Sequence, residues 1–208
     1  MTDPVDERKR TTLRRFAALG AATPFVGIAS GTDDTSDHEV SRSEVPDAIC
    51  GYLSTTPGAH FSKLRDDLQL GTGETQHHLR VLGESGVVDS RRDGEYRRFF
   101  PAGRFSAFEQ IALGYLRRET PRRMLIELLE SPADTGTELA DRLSVSRATV
   151  SNYTGELEDA GLLDRSERYS LTRPETVLTL LIRYADSFGP DAVEFASTAD
   201  ELIRVDRS

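Results

Sequence analysis

Between Ser90 and Arg104 the chain places Arg91, Arg92, Arg97, Arg98 and Arg104 against only two acids, Asp93 and Glu95. A guanidinium is always charged and offers a planar fork of donors, a geometry that suits phosphate oxygens. Two further groups carry readable hydrogen-bonding chemistry. Arg147, Thr149, Ser151 and Asn152 crowd into six positions, and Thr72, Gln76, His77 and Arg80 recur at helical spacing. Arginine can grip O6 and N7 of guanine, Asn or Gln can pair with N6 and N7 of adenine, and hydroxyls serve base edges or phosphates. A smaller pair, Arg165 and Arg168, flanks Glu167. The discordant residue is Glu74, because a carboxylate near phosphates repels them unless it accepts from cytosine N4. This is the chemistry of recognising a polyanion.

Bond-making chemistry is not signalled. The sequence holds no Walker loop, no paired-glycine dinucleotide fingerprint, no Gly-x-Ser-x-Gly elbow and no His-Glu-x-x-His pair. His77 and His78 are adjacent, so on a helix they diverge by roughly 100° and cannot ligate one metal together; His78 is expected beside Leu79 and Leu82. The single Cys50 excludes an internal disulfide and reads as a small core hydrophobe. An enzyme, a cofactor, a metal site or a small-molecule ligand is therefore not expected.

The overall charge looks unfavourable for a polyanionic partner. The formal net charge is −9, and of 26 basic residues only Lys9 and Lys63 are lysines. Net charge is a global average, however, and a partner senses the local face. The acidic, lysine-poor, arginine-rich balance resembles the proteins of salt-in halophiles; an acidic mesophilic surface is the alternative.

An internal repeat supplies the elements that must position these groups. Displacing the chain by 75 residues lays 57–89 on 132–164 without a gap: Pro57 on Pro132, Leu64 on Leu139, Leu68 on Leu143, Leu82 on Leu157, Gly86 on Gly161. The matching positions are apolar or turn-forming, so the copies share a core. Each copy predicts a first helix (through Ile49 and Leu53, or Met124 to Leu129), a short second helix carrying leucines four apart, a tight turn, and a third helix ending at glycine. Thr120 and Pro121 suit the start of the first helix in copy two, and Thr135 with Glu138 forms a capping box for the second. After the glycine the patterning switches to alternation. Asp93-Gly94 between two such runs predicts a β-hairpin, and a shorter one is expected near Ser166-Glu167. Three helices followed by a hairpin make a winged helix. The fold class expected is mainly α with small β-hairpin wings, as two tandem winged helix-turn-helix domains with linking and C-terminal helices.

The stretches LRDDLQLGTGETQHHLRVLGESGVVDS (64–90), GEYRRFFP (94–101) and LADRLSVSRATVSNYTGELEDAGLLDR (139–165) resemble archaeal winged helix-turn-helix transcription regulators of the ArsR and MarR styles. With the acidic surface, the pair resembles haloarchaeal regulators. The resemblance covers roughly residues 44–173 and implies sequence-specific binding of double-stranded DNA, the third helix of each copy lying in the major groove. It would make Thr72, Gln76, His77, Arg80, Arg147, Thr149, Ser151 and Asn152 base or phosphate contacts. The wing arginines Arg91, Arg92, Arg97, Arg98, Arg165 and Arg168 would take the backbone or minor groove. Salt bridges to Asp89, Asp93 and Glu95 are the competing use of the first-wing arginines, and a protein-binding module is the competing use of the fold.

The expected organisation is an N-terminal arm or signal-like segment and linker (1–42), domain 1 (43–104), a linking helix (105–120), domain 2 (121–173) and C-terminal helices (174–208). Ser106 and Glu109 form a capping box for the linking helix, which is apolar at Phe108, Ile111, Ala112, Tyr115 and Leu116. The C-terminal helices are too apolar for one exposed face, so they either pair two subunits as a homodimer or pack within the chain. Arg14-Arg15 before the apolar run Phe16–Ser30 resembles a twin-arginine export signal. Leu13 precedes the pair where Ser or Thr is usual, Pro24 interrupts the run, and a membrane helix needs roughly 20 residues. A cytoplasmic protein is expected, with membrane attachment through residues 13–30 as the alternative.

Overall fold

A computed structural model describes residues 4–21, 37–131 and 135–205, and the chain divides into two units, Met1–Phe105 and Ser106–Ser208. The first unit runs α1 (Pro4–Ala21), α2 (Asp37–Thr55), β1 (Ala59–His60), α3 (Phe61–Asp67), α4 (Thr72–Glu84), β2 (Val88–Asp93) and β3 (Tyr96–Pro101). The strands form one antiparallel sheet in the order β1-β3-β2. On α2 the spacing of Val45, Ile49 and Leu53 makes one apolar stripe, and it meets Leu64 of α3, Leu68 at its C-cap, and Leu79 and Leu82 of α4 in a single core. Burying side chains of this size stabilises the unit by roughly 1.5–3 kcal/mol each. His60 caps α3, its Nδ1 accepting from the Lys63 amide at 3.3 Å.

The duplication is visible in the backbone. Gln69 and Ser144, which end α3 and its counterpart α7 (Gly136–Leu143), both hold positive φ, 55° and 54°. In each copy the next residue donates back to the preceding helix, Leu70 N to Arg65 O at 2.9 Å and Val145 N to Ala140 O at 3.1 Å. Gly86 and Gly161 close the third helices at φ 70° and 71°, where a side chain would be strained.

The second unit contains α5 (Ala107–Leu116), α6 (Glu119–Glu130), α7, α8 (Arg147–Asp159), β4 (Leu163–Asp164), β5 (Ser170–Leu171), α9 (Pro174–Arg183), α10 (Ala185–Phe188) and α11 (Pro190–Val205). Both predicted capping boxes are present: Ser106 N donates to Glu109 at 2.7 Å, and Thr135 N to Glu138 at 2.9 Å. Helix α6 starts earlier than the Thr120-Pro121 signal suggests, capped at Arg118. Proline is tolerated there because first-turn amides have no helical partner anyway. The C-terminal helices are built into this unit. Val177, Leu181, Ala192, Phe195 and Ala199 are buried, and Arg122 on α6 donates from Nε to Asp191 at the start of α11 at 2.8 Å.

The segment expected as an arm or signal begins with a helix, α1, that packs on the first core. Leu13 is 0% exposed, and the Phe16 ring meets Tyr52 edge-on with centroids 5.4 Å apart. Residues 22–30 of the signal-like run lie outside the described residues. Among the described residues no helix is long and apolar enough to cross a membrane.

Candidate nucleic-acid interface

Helix α4 separates its two faces cleanly. Thr75, Leu79 and Leu82 are buried, whereas Thr72, Gln76, His77 and Arg80 are exposed. Arg80 lies 3.3 Å from Glu84 one turn on, an exposed pairing of small net energy that a phosphate can displace. Glu74, the discordant acid, has a structural post: its Oε2 accepts from the Gly71 amide at 3.2 Å and from Lys9 Nζ at 3.1 Å. A carboxylate at this end of a helix also meets the positive pole of the dipole.

Helix α8 repeats the pattern. Val150, Thr154 and Leu157 are buried, and Arg147, Ser151 and Asn152 are exposed. Thr149 is half-buried and engaged with the cap: its amide donates to Ser146 Oγ at 3.0 Å, and the two hydroxyls lie 2.9 Å apart. It is thus the least available of the four polar residues named on this helix.

The first wing has a register that sorts its arginines. Arg91 stands opposite Arg98 and Arg92 opposite Arg97, and opposed residues of an antiparallel pair share a face. Arg92 and Arg97 are exposed, Arg91 is half-buried, and Arg98 is turned inward at 3% exposure. Arg98 pairs with Asp93 and donates from Nη1 to the Gly58 carbonyl at 3.0 Å. Its expected place on a partner is therefore corrected: a guanidinium already buried and bonded on two sides holds the base of the wing. The competing use of arginine in salt bridges is realised at this residue. The turn also differs from the expected one. Asp93 stays in β2 opposite Tyr96, so the two-residue loop is Gly94-Glu95, one position beyond the expected Asp93-Gly94, and Gly94 takes the positive φ of 58°.

The face of the wing that carries Arg97 and the buried Phe99 meets α4 across an open groove of about 680 Å³, lined by Gln76, Arg80 and Glu84 on one side and Ser90, Arg97 and Phe99 on the other. Arg97 is steadied by donating from Nε to Ser90 Oγ at 2.9 Å, with its guanidinium 5.7 Å from the Phe99 ring centre. Arg104 is exposed beyond β3.

The second wing is shorter. The amide that closes it donates across ten positions (Thr172 to Leu162), against fifteen in the first wing (Ala102 to Val87). Arg165 is tied to Glu158, which raises its pKa through hydrogen bonding, while Arg168 is exposed. Asp164 is held low by accepting from Ser166 in the turn.

Two groups escape a reading from the sequence. Tyr96 stands 50% exposed on the wing, its ring 5.0 Å from that of His60. Burial, then the positive neighbours Arg98 and Lys63, push the His60 pKa down. Alternation alone does not distinguish an exposed tyrosine from a core one, and β1 is too short to carry a pattern. Among the described residues, no His, Cys, Asp and Glu side chains cluster as a metal site.

Residues 43–113 match an N-terminal helix-turn-helix domain family, and residues 120–169 match the MarR family. The chain is also similar to an uncharacterised HTH-type transcriptional regulator from Methanocaldococcus jannaschii, with 26% identity over 159 residues. That similarity covers 76% of this chain and 39% of the relative's length. No solved structure matches. Tandem winged helix-turn-helix domains, mainly helical with small hairpin wings, are the architecture of this chain.

Proposed function

We propose that the chain is a transcription regulator that binds double-stranded DNA in a sequence-specific way. In this reading α4 and α8 enter major grooves, while Arg92 and Arg97 of the first wing lie on the bordering backbone or in the minor groove. Gln76, Arg80, Arg147 and Asn152 read base edges, His77, Thr72 and Ser151 assist, and Arg91, Arg165 and Arg168 add electrostatic attraction.

The observation that carries the reading is the convergence of Gln76 and Arg80 with Arg97 on one groove, from two elements that only folding brings together. The name of the archaeal relative supports it, as do the two family matches. Glu74 does not count against the reading, since its carboxylate is occupied by a helix cap and Lys9. Exposed Ile182 and Val193 on α9 and α11 are available to a second copy, so a homodimer on a palindromic site is part of the proposal. A cytoplasmic location follows from a DNA target.

Selection of genomic fragments bound by the full chain, followed by footprinting, tests the proposal. Enrichment of a common motif that Gln76→Ala or Asn152→Ala degrades is the expected result. Recovery of fragments no better than random, with no protected sequence, would overturn it.

A further inference from the structure

We propose that α1 is a third cationic contact for the DNA backbone in the first unit, gripping phosphates beside the N-terminal end of α4; this rests on the DNA-binding reading above. Residues 8–15 read Arg-Lys-Arg-Thr-Thr-Leu-Arg-Arg, five cations and no acid in a chain of net charge −9. So local an excess creates a positive field despite the global balance.

The helix is fixed in place. Leu13 is wholly buried in the core that also holds Leu79 and Leu82 of α4, and Phe16 packs edge-on against Tyr52. One turn before Leu13, Lys9 reaches the third residue of α4, with Nζ 3.1 Å from Glu74 Oε2. That pair neutralises the only acid in the first turn of α4 and sets the basic stretch of α1, which follows Asp6 and Glu7, beside it. Arg8 and Arg15 are exposed, and Arg8, Thr11 and Arg15 lie along one solvent-facing stripe. Arg14 keeps its side chain 70% exposed while lying 3.7 Å from Glu44. The groove shared with the wing begins at Gln76 and runs on to Glu84, so cationic elements bracket α4 along its length. A helix in the major groove lies between two phosphate strands about 12 Å apart, which such a bracket can engage together.

The Arg14-Arg15 pair that resembles an export signal thus has a use within the fold. A membrane surface fits less well, because a helix lying on lipid needs an apolar face, and Leu13 and Phe16 spend theirs on the core.

The test measures how affinity for a short mixed-sequence duplex varies with salt, using the full chain and Arg8→Gln/Arg10→Gln/Arg15→Gln. Each lost phosphate contact lowers the slope of log affinity against log salt by about 0.9, so a fall of roughly two to three is expected. Circular-dichroism melting checks the fold, and the single variants Arg8→Gln and Arg15→Gln read the same slope if the triple variant melts early. A slope equal to that of the unsubstituted protein overturns the proposal. Loss of binding to phosphatidylglycerol vesicles with the DNA slope intact overturns it in favour of lipid. Failure of the unsubstituted protein to bind duplex at any salt overturns the underlying DNA reading instead, and Arg92→Gln/Arg97→Gln tests that reading independently of α1.

Discussion

Arg98 donates from Nη1 to the carbonyl oxygen of Gly58 at 3.0 Å, joining residues forty positions apart. With the pairing to Asp93, the bond ties the loop before β1 to the wing and leaves this guanidinium almost wholly enclosed. Neighbouring Arg97 faces the groove toward α4. Two adjacent residues of one type therefore do separate jobs, and substitution should divide them.

Arg98→Ala is expected to destabilise the first unit by about 3 kcal/mol, because Asp93 and the Gly58 carbonyl lose a buried charged partner. Arg97→Ala should change the unfolding free energy by no more than the usual surface range, about 0.5 kcal/mol, while weakening DNA binding. A midpoint that moves equally for both would contradict the sorting of the two faces.

Leu13→Ala removes a fully buried side chain from the first core. A loss of about 2–5 kcal/mol is expected, read from denaturant unfolding. Were residues near Leu13 only a detachable leader, the unfolding midpoint would not shift.

Asn152→Ala and Gln76→Ala act on exposed positions of the third helices. Each should relax discrimination at one base pair by about 1–3 kcal/mol and leave the melting temperature unchanged. Affinity measured against a panel of single-base variants of a footprinted site decides it; a uniform loss across the panel would make these residues phosphate contacts.

His60 caps α3 through a nitrogen that must be unprotonated to accept, and its pKa is lowered from 6.5. A lowered value means the folded state favours the neutral ring. This contribution to stability is thus present above about pH 6.5 and lost as pH falls through the folded value. Melting of the first unit should drop on mild acidification, and His60→Asn, which keeps a cap without a titrating ring, should flatten that drop. An identical pH profile in the variant would refute the link.

Much of this architecture is legible in the residue pattern, because helix periodicity, capping boxes and terminal glycines are local signals. Ser106 with Glu109 and Thr135 with Glu138 cap as their spacing implies. Gly86 and Gly161 adopt the left-handed turn that their position requires. What was not legible depends on distant partners. The inward turn of Arg98 needs Gly58, the role of Glu74 needs Lys9, and the docking of α1 needs Tyr52. The left-handed Gln69 and Ser144 carry no glycine to announce them.

Arg92 and Arg97, both exposed, face each other directly across the hairpin, so the wing contains an opposed like-charge pair, whereas Arg98 is already neutralised by Asp93. Cross-strand Cβ atoms lie about 5 Å apart, inside the Debye length of roughly 10 Å at 0.1 M salt and outside that of roughly 3 Å at 1 M. Brine would therefore quiet the quarrel between the strands and stiffen the hairpin, and on the proposed DNA-binding reading it would also weaken the attraction of these two arginines for phosphate. Amide exchange in β2 and β3 should slow as salt rises, whereas dilute buffer leaves the wing loosest.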